Sequence, residues 1–278
     1  MTYSIVALDR ESGELGVGIQ SRAFRSGAVV PWALPGVGAV ASQAFSEKSY
    51  GPLGLELMRA GKTPEQALAG LVAADPLASN RQVSMLAADG TAAVHTGVDC
   101  IPAAGHRIGD GVTAQANCVE GPQVWESMVD AFVEAEGSLQ RRLLGALDVA
   151  EAAGGDWRGR QAAGILVVPA EGQPWDTVCD VRVDDHEDPL GELRRLLDLH
   201  EGYTALGEVD DSAEVARRTG LPELDVRFAV LFDAARAGEL ERGRSLVAEL
   251  LRQDKRWRAY LQALADRDYL PHADELLP

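Results

Sequence analysis

Basic residues are scarce. Only 26 Lys and Arg stand against 43 Asp and Glu in 278 residues, a formal net charge of −17. Phosphate backbones are held by clustered Lys and Arg, so this balance argues against a nucleic-acid partner. It equally disfavours adhesion to an anionic membrane surface. Long hydrophobic runs are missing too: the most apolar stretch, residues 27–45, is interrupted by Pro31, Pro35 and several glycines. That pattern argues against a spanning helix. No basic segment followed by an apolar stretch opens the chain, so no secretory leader is expected and the expected location is the cytoplasm. Cysteine is sparse and odd in number. Cys100, Cys118 and Cys179 have no metal-type spacing, and reduced, small buried side chains are the simplest account of them.

What is present is an ordinary globular balance, 46% hydrophobic and 25% charged, enough for a sizeable core. Two strand-like runs, Ser4 to Asp9 and Leu15 to Ser21, flank the turn Glu11-Ser12-Gly13-Glu14 and predict a hairpin. Val29-Val30 and Val37 to Ala44 read as further extended segments. A helix is expected after Gly51-Pro52. A second starts at Thr63-Pro64-Glu65-Gln66, where a Thr N-cap, a Pro at the first helical position and a Gln at the third form a capping box. Strands Gln82 to Ala88 and Thr91 to Thr96 are joined by the hairpin pair Asp89-Gly90, and another runs from Gly111 to Cys118. Helices follow at Gln123 to Ala135 and Leu139 to Ala153, then strands Ala162 to Val168 and Thr177 to Val183, then a helix opened by Asp188-Pro189.

Strands grouped in hairpins argue against a doubly wound parallel sheet. Two antiparallel sheets face to face, with helix pairs outside, fit this order: an α+β, four-layer αββα sandwich. Beyond residue 203 an acidic, linker-like stretch, Glu208 to Ala213, leads into segments with helical spacing at Leu224 to Ala237, Leu240 to Gln253 and Trp257 to Ala265. The expected organisation is a sandwich domain over residues 1–203 and a small all-helical domain over residues 204–278. Trp257, Tyr260, Leu261 and Leu264 form an apolar stripe suited to that domain's own core, to the first domain, or to a second copy in a homo-oligomer.

The start of the chain carries the chemistry. Methionine before a small residue is ordinarily trimmed, which leaves Thr2 as the N-terminus at the head of a strand. Its α-amine titrates near ~7.7–8.0 and can take the proton of its own hydroxyl, the arrangement of N-terminal threonine nucleophiles. Many ordinary proteins also begin Met-Thr. Thr2-Tyr3-Ser4-Ile5-Val6-Ala7, Gly13-Glu14-Leu15-Gly16-Val17 and Gly27-Ala28-Val29-Val30-Pro31-Trp32 resemble the opening of the bacterial family called domain of unknown function 1028. Gly154-Gly155-Asp156-Trp157-Arg158-Gly159-Arg160-Gln161 resembles that family's most recognisable motif, and Val183-Asp184-Asp185-His186 with Asp188-Pro189 its closing one. The resemblance covers roughly residues 1–203 and implies the N-terminal-nucleophile (Ntn) hydrolase superfamily, with its αββα fold. The implied class is hydrolysis of an amide bond in a small-molecule or peptide-like substrate. The other reading is a protein of the same fold that only binds a ligand or partner.

Within that frame Thr2 is the expected nucleophile and Ser4 its competitor. Counted from Ser4, Gln20-Ser21-Arg22 falls where proteasome-type members carry Asp-Ser-Arg after their threonine. Asn117 could donate to an oxyanion. Arg158 and Arg160 offer planar forks for a carboxylate, with Asp156 and Gln161 beside them. Asp156 and Arg158 could equally be an internal ion pair that fixes a loop. Gln43, Gln82 and His106 are lesser polar candidates near strand ends. Asp184-Asp185-His186 invites a metal, but acidic residues before a helix are favoured by the helix dipole alone. No HExxH or paired-cysteine motif is present, so neither metal nor cofactor is expected.

Overall fold

The computed structural model describes residues 2–206 and 212–277. The acidic linker expected at Glu208 to Ala213 lies for the most part outside them. The chain divides into two compact units, one ending at Arg194 and the other beginning at Arg195.

The first unit opens with the hairpin β1 (Thr2–Leu8) and β2 (Leu15–Ser21), followed by β3 (Pro31–Leu34) and β4 (Gly38–Ala44). Helices α1 (Tyr50–Arg59) and α2 (Pro64–Ala74) lead to β5 (Arg81–Ala87), β6 (Ala92–Thr96), β7 (Ala104–Gly109) and β8 (Val112–Asn117). Then come α3 (Gln123–Glu134), α4 (Leu139–Ala152), β9 (Ala162–Val168), β10 (Cys179–Val183) and the start of α5 (Pro189–Leu206). Six strands form one sheet in the order β10-β9-β2-β1-β8-β7, and four form the other, β3-β4-β5-β6. Every pairing is antiparallel. Helices α1 and α2 lie on the four-stranded sheet and α3 and α4 on the six-stranded one, and the two sheets face each other. This is a four-layer αββα sandwich.

Local chemistry explains the element boundaries. The Thr63 hydroxyl accepts from Gln66 N and the Gln66 side chain accepts from Thr63 N, both at 3.2 Å, closing the capping box that starts α2. At Gly16 and Gly18 helix α4 comes so close that a Cβ on Gly16 would meet Leu143 Cδ1 at 2.8 Å. Two departures from expectation have simple causes. Strand β7 is an edge strand with His106 and Ile108 exposed and glycines at both flanks, so no apolar pattern marks it. The segment Val29-Val30 is not yet extended: Val29 closes a 3-10 turn over Ser26–Ala28, and the strand begins at Pro31.

Because a strand alternates, one set of β1 residues faces the second sheet and the other faces the helices. Tyr3 and Ile5 belong to the helix side; Tyr3 reaches Glu151 on α4. Thr2, Ser4, Val6 and Leu8 face the other sheet. At one end the space between the sheets is apolar, filled by Val6, Leu8, Val17, Ala39, Ala41 and Leu86. At the other end, around Thr2, it is polar.

The second unit comprises the remainder of α5 with α6 (Ser212–Thr219), α7 (Glu223–Ala237), α8 (Leu240–Gln253), α9 (Trp257–Ala265) and α10 (Ala273–Leu276). Leu231, Val247, Leu250, Leu261 and Leu270 make its core. Gly238, at φ 71°, supplies the left-handed residue that ends α7. Among the described residues no helix is long and apolar enough to cross a membrane.

At the start of α1 the buried Tyr50 donates to Asp75 (3.2 Å), which also receives Arg81 Nε at 2.9 Å. Burial first, and the Asp75 charge second, push the Tyr50 hydroxyl from 10.0 up to about 12. The unfolded chain therefore gives up this proton first. Stability linked to Tyr50 is intact below pH 10.0 and is lost as pH rises from there towards about 12. Tyr50→Phe is expected to flatten that part of the alkaline limb, read from urea unfolding curves taken across the window.

Candidate active site

Thr2 begins the strand beside the centre of the six-stranded sheet, opposite Ser21 on one side and Asn117 on the other. It is almost wholly buried, and its hydroxyl shares a 3.0 Å hydrogen bond with the Ser21 hydroxyl. Its main-chain carbonyl accepts from two side-chain amides, Gln43 Nε2 at 3.3 Å and Asn117 Nδ2 at 3.5 Å. Those two amides share a second acceptor: Gln82 Oε1 takes Gln43 Nε2 at 2.7 Å and Asn117 Nδ2 at 3.0 Å. Gln82 is itself anchored across the sandwich, its Nε2 donating to the carbonyls of Ala116 (2.9 Å) and Gly105 (3.0 Å) and to Thr96 Oγ1 (3.1 Å).

Ser4 lies one step deeper and is fully buried. Its hydroxyl donates to Gln43 Oε1 at 2.7 Å and accepts from Gln115 Nε2 at 3.3 Å. Ser84 and Thr113 join hydroxyls below it. Thr2, Ser4, Gln43, Gln82, Gln115 and Asn117 thus form one connected network between the sheets. His106 attaches to its rim, with Nδ1 2.9 Å from Thr96 Oγ1. Burial, and then the nearby His95, hold the His106 imidazole below its ordinary pKa, which favours the neutral ring.

The glycine-rich loop closes this end of the sandwich. Asp156, its side chain fully buried, accepts from the main-chain N–H groups of Arg22 and Arg158, each at 2.9 Å. Arg158 Nη2 adds a 3.2 Å ion pair to the same carboxylate. Asp156 therefore ties the residue after Ser21 to the loop, and a one-strand bridge between Val119 and Asp156 ties that loop to the chain leaving β8. Arg160 sits between Glu151 (3.6 Å) and Asp188 (3.4 Å), and Gln161 Nε2 donates to Asp185 at 2.8 Å. These last contacts belong to the turn before α5. Asp184 faces Arg25 at 3.8 Å, and His186 Nδ1 accepts from Asp188 N at 3.0 Å. The donors that suggested a metal are thus engaged in building that turn, and no group of three or more metal-ligating side chains stands together among the described residues.

Two features escaped sequence reasoning. Ser21, the hydroxyl nearest to Thr2, was visible only as part of the Gln20-Ser21-Arg22 string. On the helix face Tyr3 donates to Glu151 Oε2 at 2.7 Å, and burial, reinforced by the Glu151 charge, pushes its hydroxyl well above the ordinary range. Polar residues at alternate positions of apolar strands were the available signal for the network.

The model of the family of unknown function DUF1028 matches residues 2–193. The chain belongs to this family. A crystal structure of another DUF1028 protein, SPO2555 from Silicibacter pomeroyi, superposes with a TM-score of 0.65 at 30% identity, covering 70% of this chain and 87% of that one. Anbu (ancestral beta-subunit) from Yersinia bercovieri aligns with a TM-score of 0.35 at 11% identity, over 75% of this chain and 97% of its own. Comparison with curated proteins returns no match. The DUF1028 match ends near the boundary between the two compact units, so the helical unit lies outside it.

In this DUF1028 chain Gln82 holds both amides that reach Thr2. Gln82→Leu keeps the side-chain bulk but leaves buried Gln43, Asn117 and two main-chain carbonyls short of partners. An unsatisfied buried group costs about 1–3 kcal/mol. The substitution is expected to lower unfolding free energy by at least about 2 kcal/mol, measured by urea denaturation, with Thr96→Val costing less because it removes one contact of Gln82 and one, at the exposed rim, of His106.

Proposed function

We propose that this protein is an N-terminal-nucleophile hydrolase cleaving an amide bond in a small-molecule or peptide-like substrate, with Thr2 as nucleophile after removal of Met1. The observation that carries the reading is the setting of Thr2. It heads a strand beside the centre of the sandwich, its hydroxyl meets Ser21 at 3.0 Å, and its carbonyl is clamped by Gln43 and Asn117. A nucleophile held this way loses little freedom on reaching the substrate carbonyl. Met1 itself lies outside the described residues.

In the proposed cycle the neutral Thr2 amine takes the proton of Oγ1 as Oγ1 attacks the amide carbon. The tetrahedral intermediate collapses to an ester on Thr2 while the leaving amine takes that proton. Water, activated by the same amine, then attacks the ester and restores the hydroxyl. Ser21 orients the attacking hydroxyl. Asn117 and Gln43, whose amides already hold the Thr2 carbonyl, position the nucleophile rather than serve a free oxyanion site. Arg158 and Arg160 keep 43% of their side chains exposed despite their ion pairs, which suits them to a substrate carboxylate beside the site. The same exposure would serve a purely ligand-binding protein, the second reading.

Intact-mass spectrometry and reaction with a β-lactone separate the two. The expected result is a chain lacking Met1 that gains one lactone mass on Thr2. Thr2→Ser retains the labelling, and Thr2→Ala, still folded by circular dichroism, loses it. Retention of Met1, or equal labelling of Thr2→Ala, overturns the catalytic reading and leaves ligand binding. The amine must be neutral to act as base, so labelling is expected to quicken as pH rises and to level off above roughly 8. A rate that falls over that range would exclude the amine as base.

A further inference from the structure

We propose that the helical unit carries a binding site for a small molecule bearing a weakly hydrated organic ammonium group. Between α7 and the start of α9 lies an open groove of about 540 Å³, within the size range of small-molecule sites. Its walls are Phe228, Trp257 and Tyr260, with Asp225, Asp254 and Arg256 around them. The ring centroids of Phe228 stand 5.6 Å from Trp257 and 5.7 Å from Tyr260, and Trp257 and Tyr260 are 5.5 Å apart with planes at 83°. The groove is therefore bounded by aromatic rings turned in different directions. These rings are not simply the unit's core. That core is closed by Leu231, Val247, Leu250 and Leu261, against which Phe228 and Trp257 pack, while Tyr260 remains 49% exposed.

The charges around the rings select the ligand. Arg256 donates twice to Asp254, through Nε at 2.8 Å and Nη2 at 2.5 Å, so that pair neutralises itself. Asp225 accepts the Tyr203 hydroxyl, a neutral donor, and no cationic side chain of the described residues pairs with it. One uncompensated carboxylate thus stands beside three aromatic rings. An anion is repelled there. A small metal ion or a primary ammonium gives up more hydration to reach ring faces, whereas a quaternary ammonium sheds water readily and is attracted by the ring quadrupoles and by Asp225 together. The site is separate from the Thr2 network and does not rest on the catalytic reading.

Isothermal titration calorimetry of the full chain with choline, set against its neutral isostere 3,3-dimethylbutan-1-ol, tests this. Choline is expected to bind and the isostere to bind about tenfold more weakly or not at all, the range set by cation–π and charge contacts. Asp225→Asn, which spares the rings, is expected to weaken choline about fivefold and leave the isostere unchanged. Trp257→Leu, where it keeps its helical circular dichroism, should weaken choline further. Equal binding of choline and the isostere overturns the proposal in favour of a plain apolar groove. Absence of any choline heat at about 10 mM, or choline binding untouched by Asp225→Asn, overturns it as well.

Discussion

A single atom, Gln82 Oε1, accepts from Gln43 and Asn117 at once, and the polar half of the sandwich is organised around that double bond. Amide side chains suit the role because each both donates and accepts, so a chain of them can satisfy itself away from water. The low dielectric between the sheets strengthens every link and makes any unpaired member costly. The network therefore acts as a register lock. Sliding β5 by one residue against β4 would turn Gln82 to the other face of its sheet, strip Gln43 and Asn117 of their acceptor and bury apolar groups against polar ones. The position of Thr2 follows, because the same two amides hold its carbonyl.

The opposite half of the sandwich has a different task. Val6, Leu8, Val17 and Leu86 close the two sheets with undirected apolar burial, which tolerates small shifts and supplies stability. The polar half supplies direction. Its outer boundary is sealed by the buried Asp156 carboxylate, which gathers the main-chain N–H of Arg22, next to Ser21, and the arginine of its own loop. An isolated carboxylate at that depth would be untenable; three donors converging on it make it a fastener between the end of β2 and the loop before β9. Tyr3 and Glu151 do the equivalent on the helix side, joining β1 to the end of α4.

The layer order was legible because it rests on local signals: the Thr63 capping box, the Asp89-Gly90 turn, and hairpins separated by helix pairs. The edge strand β7 was not, since half of it faces water and its glycines erase the alternation. Of the candidate site, Thr2, Ser4, Gln43 and Asn117 were named from the sequence, and they do share one network. Their connection through Gln82 and Gln115 depends on how two sheets register face to face, which no one-dimensional pattern encodes. Asp156 with Arg158 had two readings, clamp or internal ion pair, and the geometry at 3.2 Å gives the ion pair a definite place. Arg160 and Gln161 lie with Asp185 and Asp188 because the turn before α5 folds back onto them, a long-range contact that spacing along the chain does not reveal.

The contest between Thr2 and Ser4 is sharpened by that register. The β1–β2 hairpin sets Thr2 opposite Ser21 and Ser4 opposite Ile19, so the Gln20-Ser21-Arg22 string lies alongside Thr2 and Tyr3, not Ser4. Exposing a free amine at Ser4 would also remove Thr2 and Tyr3. The carbonyl that Gln43 and Asn117 both hold would go with them, as would the tyrosine hydroxyl on Glu151. Ser4 itself is fully buried with both a donor and an acceptor contact in place, the condition of a structural hydroxyl. Thr2 has the same supports on its main chain and its hydroxyl meets that of Ser21, a setting that removal of Met1 alone leaves in place, and this is why the proposed chemistry belongs to Thr2.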